Sequence, residues 1–374
     1  MKLCCIYNSA AHYRRSIFLL IDKMFDCSWA FGKKPIGGAD IESIPPEKFK
    51  KFLGYAKNRR IVGNWWWQSG TLKHLFGGFD TYLVLGDPFC LSTWIFCALA
   101  KMMPRKRVFF WTHGWYGREN FVKRVMKKIF FQLGNGVFLY GNYARELMIK
   151  EGFSPEKLWM IHNSLSYDEQ LKLRECLTPS AVFREHFGND AKTLVFIGRL
   201  TLAKRLEMVL DAMAILREHG RALNLVLIGD GAAHANLKEK ARGAGLEKNV
   251  WFYGACYDEA KNAELIFNAD LCVSPGNIGL TAIHALMFGC PCITHSDFPY
   301  QGPEFEAIVP GKTGAFFERG NTVSLAETIE AWFAADRSRD EIRRACFSEI
   351  DASWNPNFQI EVLKKVLITD TAER

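Results

Sequence analysis

Short apolar segments alternate with helical segments along this 374-residue chain, and the alternation occurs twice. The first series of apolar segments lies at 3–7, 81–85, 107–112, 136–139 and 158–161. The second lies at 193–197, 224–228, 250–253, 270–274 and 291–294. Continuous apolar strands separated by helices are typical of a parallel sheet that is covered on both faces. We therefore predict an α/β fold with two doubly wound parallel-sheet domains that face a cleft.

A polar, charged stretch at 166–190 interrupts the alternation and marks the predicted domain junction. We assign 1–170 to a first domain, 171–350 to a second domain and 351–374 to a closing segment. Apolar residues at 358, 362, 363 and 366 form a helical stripe in that segment. We expect this closing helix to cross back to the first domain.

Ligands bind beyond the carboxyl ends of the strands in sheets of this type. Four residues of the first domain lie just beyond predicted strands, namely Asn8, Gly86, His113 and Asn163. Tyr13 and Arg14 lie just beyond the first strand and its turn, so we expect them to contact an acceptor substrate. A surface position is the equally weighted alternative for Arg14. The run 65–67 of three tryptophans favours packing in the core or at a sheet edge.

Charge is distributed unevenly along the chain. Residues 1–165 hold 25 Lys and Arg against 11 Asp and Glu, whereas the remainder holds 23 against 29. A basic half indicates an anionic partner. The predicted helix 119–133 carries a stripe at 122, 125, 126, 129 and 133, with cations at 123, 124, 127 and 128 lying away from it. The helix therefore either contacts an anionic membrane or packs on the sheet with a solvated basic face.

The sequence also bears on localisation. The first residues lack the apolar region of a secretory signal. The uncharged stretch 271–296 contains Gly and Pro at several positions, which favours strand, turn, helix, turn and strand over a membrane span. We expect a cytoplasmic protein that binds peripherally to the inner face of the plasma membrane.

Two segments of the second half have the character of phosphate sites. Gly198 ends a predicted strand, Arg199 follows it, and Lys204 falls in the first turn of a helix predicted at 203–219. Two cations at a strand-to-helix turn suit a diphosphate, with two solvated surface cations near a linker as the alternative. Further along, the loop that contains Asn277 leads into a helix. The first amides of that helix attract an anion, and they belong to Gly279, Leu280 and Thr281.

These segments belong to an ordered series of motifs. The series runs through Gly198-Arg199, Lys204, 228–231, 250–254, 269–270, 274–275, 279–280, 285–287, 289–291 and 311–314. It resembles the GT-B glycosyltransferases of family 4, in particular the transferases of capsule and lipopolysaccharide synthesis. The resemblance is strong over 193–320 and weaker in the first half, where it includes 112–114 and 161–164.

The resemblance implies two Rossmann-like domains and a retaining, metal-independent transfer of a sugar. A nucleoside-diphosphate sugar is the co-substrate, no cofactor or metal is needed, and the acceptor is a glycan or a lipid-linked glycan. By motif, Arg199 and Lys204 hold the diphosphate as catalytic residues, together with the amides at 279–281. Gly254 marks the place of the nucleobase, and His113 is the third catalytic candidate, near the donor sugar and the acceptor.

The sequence departs from the family pattern at two acidic positions. The family has two glutamates separated by seven residues, and Gly276 and His284 stand at those positions here. We expect His284 to replace the second glutamate at the ribose, with an ordinary core histidine as the alternative. Glu304 is the candidate to replace the first at the donor sugar, with an ordinary helix start as the alternative.

Other functions are weighed against this one. A nucleotide-sugar epimerase of the same fold converts the donor alone. A nucleotide-sugar-binding scaffold without turnover is suggested by the missing glutamates. Nucleic-acid binding rests on the basic first half alone, without a recognisable motif, so we expect no nucleic-acid partner. The sequence contains neither an Asp-x-Asp motif nor histidines at zinc-binding spacing.

Overall fold

The computed structural model describes residues 1–33, 42–335 and 337–372. The chain divides into two compact units: Met1–Ser166 with Asn355–Arg374, and Tyr167–Trp354. We call them unit 1 and unit 2. The dividing points lie four residues before the predicted 170 and four residues after the predicted 350.

Unit 1 is built on an eight-stranded sheet in the order β4-β3-β2-β1-β5-β6-β7-β8. Its strands are β1 (Leu3–Tyr7), β2 (Cys27–Gly32), β3 (Phe52–Val62), β4 (Trp65–Ser69), β5 (Thr81–Leu85), β6 (Arg107–Thr112), β7 (Gly136–Leu139) and β8 (Leu158–Met160). Its first helices are α1 (Arg15–Met24), α2 (Leu91–Met102), α3 (Phe121–Gln132) and α4 (Asn142–Lys150). All strand pairs are parallel except β3–β4, which is an antiparallel hairpin.

Unit 2 is built on a six-stranded, wholly parallel sheet in the order β11-β10-β9-β12-β13-β14. Its strands are β9 (Lys192–Ile197), β10 (Leu223–Ile228), β11 (Val250–Gly254), β12 (Leu271–Val273), β13 (Cys292–His295) and β14 (Gly314–Phe317). Its helices are α5 (Tyr167–Cys176), α6 (Val182–Phe187), α7 (Glu207–Glu218), α8 (His234–Gly243), α9 (Glu259–Asn268), α10 (Thr281–Met287), α11 (Thr322–Ala334) and α12 (Arg339–Ser353). The predicted pair of doubly wound sheets is confirmed.

The predicted return of the last helix to the first domain is also confirmed. This helix, α13 (Pro356–Ala372), belongs to unit 1. Its buried residues Ile360, Leu363 and Leu367 lie in the same apolar core as Ile17 and Ile21 of α1. Burial of apolar side chains on both helices therefore holds α13 in unit 1.

Two details differ from the sequence-based expectation. Lys204 does not lie in the first turn of a long helix, because residues Leu202–Lys204 form a separate 3-10 turn and α7 begins only at Glu207. Arg205 has a φ of 52°, and this left-handed residue ends the short turn. The tryptophan run lies on β4, where Trp66 is buried, as the packing interpretation expects.

No helix within the described ranges is long and apolar enough to cross a membrane.

Candidate functional site

Three strands of unit 2 end in glycines that pack backbone against backbone. They are Gly198 after β9, Gly229 after β10 and Gly254 at the end of β11. The Gly229 amide donates to the Gly254 carbonyl oxygen at 2.8 Å. A Cβ atom on Gly229 would lie 1.9 Å from the Gly198 carbonyl oxygen, so no side chain fits there. The predicted residues Gly198 and Gly254 thus border one patch of bare backbone at the carboxyl edge of the sheet.

The start of α10 lies against the end of β9. The Thr281 hydroxyl donates to the Ile197 carbonyl oxygen at 2.9 Å. This bond holds the first turn of α10 beside Gly198. The first amides of a helix have no acceptor within the helix, so the segment Gly279 to Thr281 presents donors at this edge.

Lys204 and the loop before α10 are joined by hydrogen bonds. The Lys204 ammonium donates to the Asn277 carbonyl oxygen at 2.6 Å and to its side-chain oxygen at 3.2 Å. The Gly276 amide donates to the Lys204 carbonyl oxygen at 2.9 Å. Burial lowers the pKa of Lys204, the Glu304 carboxylate opposes this effect, and Arg199 adds to it. The three charged groups therefore act on one another across this edge.

Glu304 completes the group in unit 2. It is a buried residue in the 3-10 turn Pro303–Ala307. A Cβ atom on Gly302 would lie 2.7 Å from a Glu304 carboxylate oxygen and 3.1 Å from the Gly279 Cα atom. A carboxylate is therefore present beside the helix start although the first glutamate of the family pattern is missing.

Gly276 cannot carry the family glutamate in this backbone. A Cβ atom at Gly276 would lie 2.1 Å from the Ala203 carbonyl oxygen and 2.8 Å from the Lys204 Cα atom. Contacts with backbone atoms at these distances require the chain to move. The loop has therefore closed over the space that a side chain would occupy.

His284 faces a carboxylate that the sequence did not point to. Its Nε2 atom lies 2.9 Å from Glu259 Oε1, and Gln170 donates to the same oxygen at 2.7 Å. Burial raises the pKa of Glu259, but hydrogen bonds from His284 and Gln170 outweigh it, and the net effect is a lowered pKa. The partners lie 25 and 114 positions from His284 in the chain, so no local motif relates them. Binding of the donor ribose by His284 stays a prediction, and the imidazole ring that would do so also contacts Glu259.

Unit 1 contains a cavity of about 620 Å³ beyond its strand ends. Its lining includes the predicted residues Tyr13, Arg14 and His113. Asn8 and Gly86, singled out by their place after strands, line it as well, whereas Asn163 does not. The first domain's candidate residues are thus brought together within one unit.

Arg14 lies in an aromatic cage at this cavity. Its guanidinium carbon lies 5.6 to 5.9 Å from the ring centres of Tyr7, Tyr13, Phe18, Trp111 and Tyr140. Nη2 donates to the Tyr140 hydroxyl, and Nη1 is buried without a hydrogen-bond partner among the described residues. The cage holds a positive charge in place mainly through cation–π contacts.

His113 lies between two cations in the cavity wall. Desolvation in the cavity, Arg14 and Lys127 together lower the pKa of His113, although the residue is exposed at the cavity mouth. The ring therefore stays neutral near pH 7 and has one nitrogen that donates and one that accepts. Its centre lies 4.8 Å from that of Tyr140 and 6.0 Å from that of Tyr116.

Two carboxylates of the cavity were not predicted, and both are engaged. Glu119 accepts hydrogen bonds from Lys127 at 2.5 Å and from the amides of Tyr116 and Gly117 at 2.9 Å. Asp87 accepts from the Trp66 indole and from a backbone amide, both at 2.9 Å. The position of Asp87 after the second predicted strand is the signal that sequence reasoning could have used.

The basic helix α3 packs on the sheet, but not through the apolar stripe that the sequence indicates. Phe130 and Phe131 of α3 are buried, whereas the predicted stripe residues Val122, Val125 and Ile129 are 72%, 42% and 51% exposed. Lys127, predicted on the solvated face, is buried and paired with Glu119. The apolar stripe therefore faces outward, because the adjacent phenylalanines take the side that packs on the sheet.

Comparisons with known proteins agree with this architecture. Residues 180–347 match the family model described as Glycosyl transferases group 1. The chain is 32% identical over 114 residues to the GDP-mannose-dependent alpha-(1-6)-phosphatidylinositol dimannoside mannosyltransferase of Mycobacterium tuberculosis. That alignment covers 29% of this chain and 29% of the relative, so the chain spans under a third of the relative's length.

Solved structures resemble the whole chain. Anabaena HepE in complex with UDP has a TM-score of 0.72 at 15% identity, with 100% of both chains covered. The lipopolysaccharide outer core galactosyltransferase WaaB has a TM-score of 0.70 at 14% identity, covering 99% of this chain and 100% of its own. The fold is that of the GT-B glycosyltransferases. The match to the group 1 glycosyltransferase model is confined to residues 180–347, which is under half of the chain.

Proposed function

We propose that this protein is a retaining, metal-independent glycosyltransferase that takes a sugar from a nucleoside-diphosphate donor. The observation that carries the proposal is the group at the carboxyl edge of the unit 2 sheet. It joins Lys204, Asn277, the start of α10 and Glu304, within the segment that matches the glycosyltransferase model. Cations and helix-start amides at one edge suit a diphosphate.

UDP is the nucleotide we propose first. The neighbour HepE is solved with UDP and, in a further structure, with UDP-glucose. In our proposal the bare backbone at Gly254 accepts the base, and Arg199 and Lys204 contact the phosphates. Stabilising the charge that develops on the departing diphosphate is the largest contribution such a site makes to the rate. Glu304 then binds a hydroxyl of the donor sugar.

Two substitutions test the donor site. Arg199→Ala and Lys204→Ala each remove a charge from the proposed leaving group, which should lower turnover from several-fold to about a thousandfold. Lys238→Ala, on the exposed side of α8, is the matched control. Transfer of radiolabelled sugar from UDP-sugars, with and without EDTA, measures the effect. Normal turnover in both variants contradicts the assignment, and loss of activity with EDTA contradicts metal independence.

The acceptor in this proposal binds the unit 1 cavity. Tyr13 and Arg14 contact it, and the neutral ring of His113 hydrogen-bonds the acceptor hydroxyl or the donor sugar. Support for a glycan of surface polysaccharides comes from WaaB, whose name states an outer core lipopolysaccharide activity. We propose an acceptor of this kind that is linked to lipid.

We propose that the protein binds the anionic cytoplasmic face of the plasma membrane. On α2, residues Ile95, Leu99 and Met102 are 43%, 39% and 80% exposed. They are spaced three or four apart, so they share a face of that helix. The ring centres of Trp94 on α2 and Phe130 on α3 lie 5.1 Å apart, so the two helices are neighbours.

Charge around these apolar residues supports the same partner. Exposed cations lie near the exposed apolar residues of both helices, at Lys101, Arg105, Lys123 and Arg124, and of these Arg124 is paired with Glu151 at 2.8 Å. Glu119, the single acidic residue between positions 88 and 145, is bonded to Lys127. Apolar side chains that insert among basic ones bind anionic lipid surfaces. Lys123, Met126 and Lys127 also line the cavity, so the proposed membrane surface borders the proposed acceptor site.

Liposome flotation tests this location. The full chain should float with vesicles that contain phosphatidylglycerol and stay in solution with pure phosphatidylcholine. Val125→Asp with Ile129→Asp should abolish flotation and leave UDP binding unchanged, and Val323→Asp, at an exposed valine of unit 2, is the control. Equal flotation by the α3 variant contradicts the proposal.

A nucleotide-sugar-binding scaffold is the second candidate, favoured by the closed space at Gly276. Binding of UDP-sugar without hydrolysis or transfer supports the scaffold. Product analysis with donor alone also separates the third possibility, an epimerase, because an epimerase changes the sugar without any acceptor.

A further inference from the structure

The charge of Arg14 is the starting point. Arg14 donates a hydrogen bond to the Tyr140 hydroxyl, and aromatic rings, including that of Tyr13, surround its guanidinium. No carboxylate in the described ranges forms an ion pair with it. A guanidinium that is partly removed from water and held by neutral groups alone leaves a net positive charge at the cavity surface.

The other charges of the cavity do not cancel this one. Glu119 is bonded to Lys127 and to two backbone amides, and Asp87 is bonded to Trp66 and a backbone amide. Lys123 adds an exposed ammonium at the lining, and Arg118 adds a guanidinium stacked on Tyr116. The lining therefore holds four cations and two acids, and the acids are occupied.

The lining suits a sugar as well as an anion. Tyr13 and Phe89 are partly exposed aromatic residues of the lining, and Tyr7 and Tyr140, which also line the cavity, are each 1% exposed. A volume of about 620 Å³ lies within the range of sites for small organic ligands, about 300–1,000 Å³. Aromatic rings around a fixed guanidinium recognise a glycan that carries an oxyanion.

We propose that the ligand of this cavity is an anionic glycan, whose phosphate or carboxylate group binds Arg14. The inference rests on the proposed function, because it names the class of acceptor for that transferase. Charge-assisted bonds between a guanidinium and an oxyanion are stronger than those between neutral groups. A neutral sugar of the same size cannot form an ion pair with Arg14, so it binds more weakly.

The test measures binding in unit 1 alone. A background variant with Arg199→Ala and Lys204→Ala weakens anion binding at the unit 2 edge. Isothermal titration then compares glucose 6-phosphate, glucuronate and glucose. We expect at least one of the two anions to bind at least tenfold more tightly than glucose. The comparison of the two anions distinguishes a phosphate ester from a carboxylate as the recognised group. Equal affinity for all three sugars overturns the proposal.

Substitutions at neighbouring arginines assign the binding to Arg14. Arg14→Gln should reduce affinity for the preferred anion at least tenfold and leave glucose unaffected. Arg15→Gln, the same change at the next and exposed position, is the matched control and should have no effect. Unchanged anion binding in Arg14→Gln, or an equal loss in Arg15→Gln, overturns the proposal.

A second variant covers the case in which the glutamine variant does not fold. Arg14→Lys keeps a positive charge in the aromatic cage but loses the planar fork of the guanidinium. It should weaken the preferred anion several-fold while thermal unfolding stays normal, and unchanged affinity overturns the proposal. Failure of the transferase proposal is separate: if UDP-sugars are neither bound nor hydrolysed, the dependence of anion binding on Arg14 still decides the inference.

Discussion

At Gly276 the loop has no room for a Cβ atom and therefore none for a side chain. The space for its Cβ is taken by backbone atoms of Ala203 and Lys204. We predict that Gly276→Ala costs about 1–3 kcal/mol, as forced overpacking does. UDP affinity should fall as well, because the displaced backbone carries Lys204. Thermal unfolding with and without UDP measures both effects.

Gly243→Ala is the control for that prediction. A Cβ atom on this α8 glycine meets no neighbour within 4 Å, and alanine favours a helix. The control variant should be as stable as the natural chain or slightly more so. Equal stability and UDP affinity in the Gly276 variant would show that the loop opens without cost.

His295 should make stability depend on pH. Its side chain is 2% exposed, and its Nδ1 atom accepts from the Asp297 amide at 3.2 Å. Burial, Arg319 and Arg205 lower its pKa to about 4, and Asp297 opposes them. The unfolded chain binds the proton near pH 6.5, so it is favoured as pH falls from 6.5 to 4. We predict a loss of about 1–3 kcal/mol across this window from this residue.

Urea unfolding at pH 7.5 and at pH 4.5 checks the prediction. His295→Gln should reduce the pH dependence by the stated amount. His12→Gln, at an exposed histidine, should leave it unchanged. An identical pH dependence in the His295 variant contradicts the assignment.

At the residue scale the sequence predicted positions better than partners. Gly198 and Thr281 stand at a strand end and a helix start, where chain order and glycine punctuation are informative. The contact of His284 with Glu259 joins two helices, and only the packed fold brings them together. The obstruction at Gly276 depends likewise on backbone from another segment.

Helix α13 completes the apolar core of unit 1. Leu363 is fully buried, and the Leu367 carbonyl oxygen accepts from Arg107 of β6 at 3.1 Å. Leu363→Ala should destabilise unit 1 by about 2–5 kcal/mol, since it opens a cavity in a packed core. Lys365→Ala, on the exposed face of the helix, should stay within about 0.5 kcal/mol of the natural chain.

Limited proteolysis is a direct measurement of that prediction. Cleavage of unit 1 should accelerate in the leucine variant, while unit 2 fragments persist. Equal resistance of both variants would contradict the closing role of α13.

Most elements with strong apolar runs were predicted, but β2 (Cys27–Gly32) was missed although it is wholly buried. Strands such as β1, β5, β6 and β7 match the predicted bounds because each is a short segment in which apolar residues predominate. The β3–β4 hairpin was missed because β3 carries mostly half-buried and exposed residues, including several charged ones. The orientation of α3 was undecidable by periodicity, since Phe130 and Phe131 compete with the outward stripe for the sheet.

At the scale of the whole molecule, UDP and anionic glycans should leave separate footprints. The proposed donor residues all belong to unit 2, and the cavity with Arg14 belongs to unit 1. Hydrogen–deuterium exchange with UDP should protect residues 198–205 and 276–304 most strongly. Glucose 6-phosphate, in the Arg199→Ala and Lys204→Ala background, should protect residues 7–14 and 112–119. The same footprint for both ligands would contradict the division of sites.

The chain leaves unit 1 at Ser166 and returns to it at Asn355, with all of unit 2 between. During synthesis the ribosome therefore releases α13 only after the whole of unit 2. At translation speeds of about 5–20 residues per second, this interval lasts roughly 10–40 s. Throughout it the face of α1 that meets α13 lacks its partner, whereas unit 2 receives the last segments of its own core before the interval ends. We therefore expect the nascent first unit to complete its core after the second, although it emerges first.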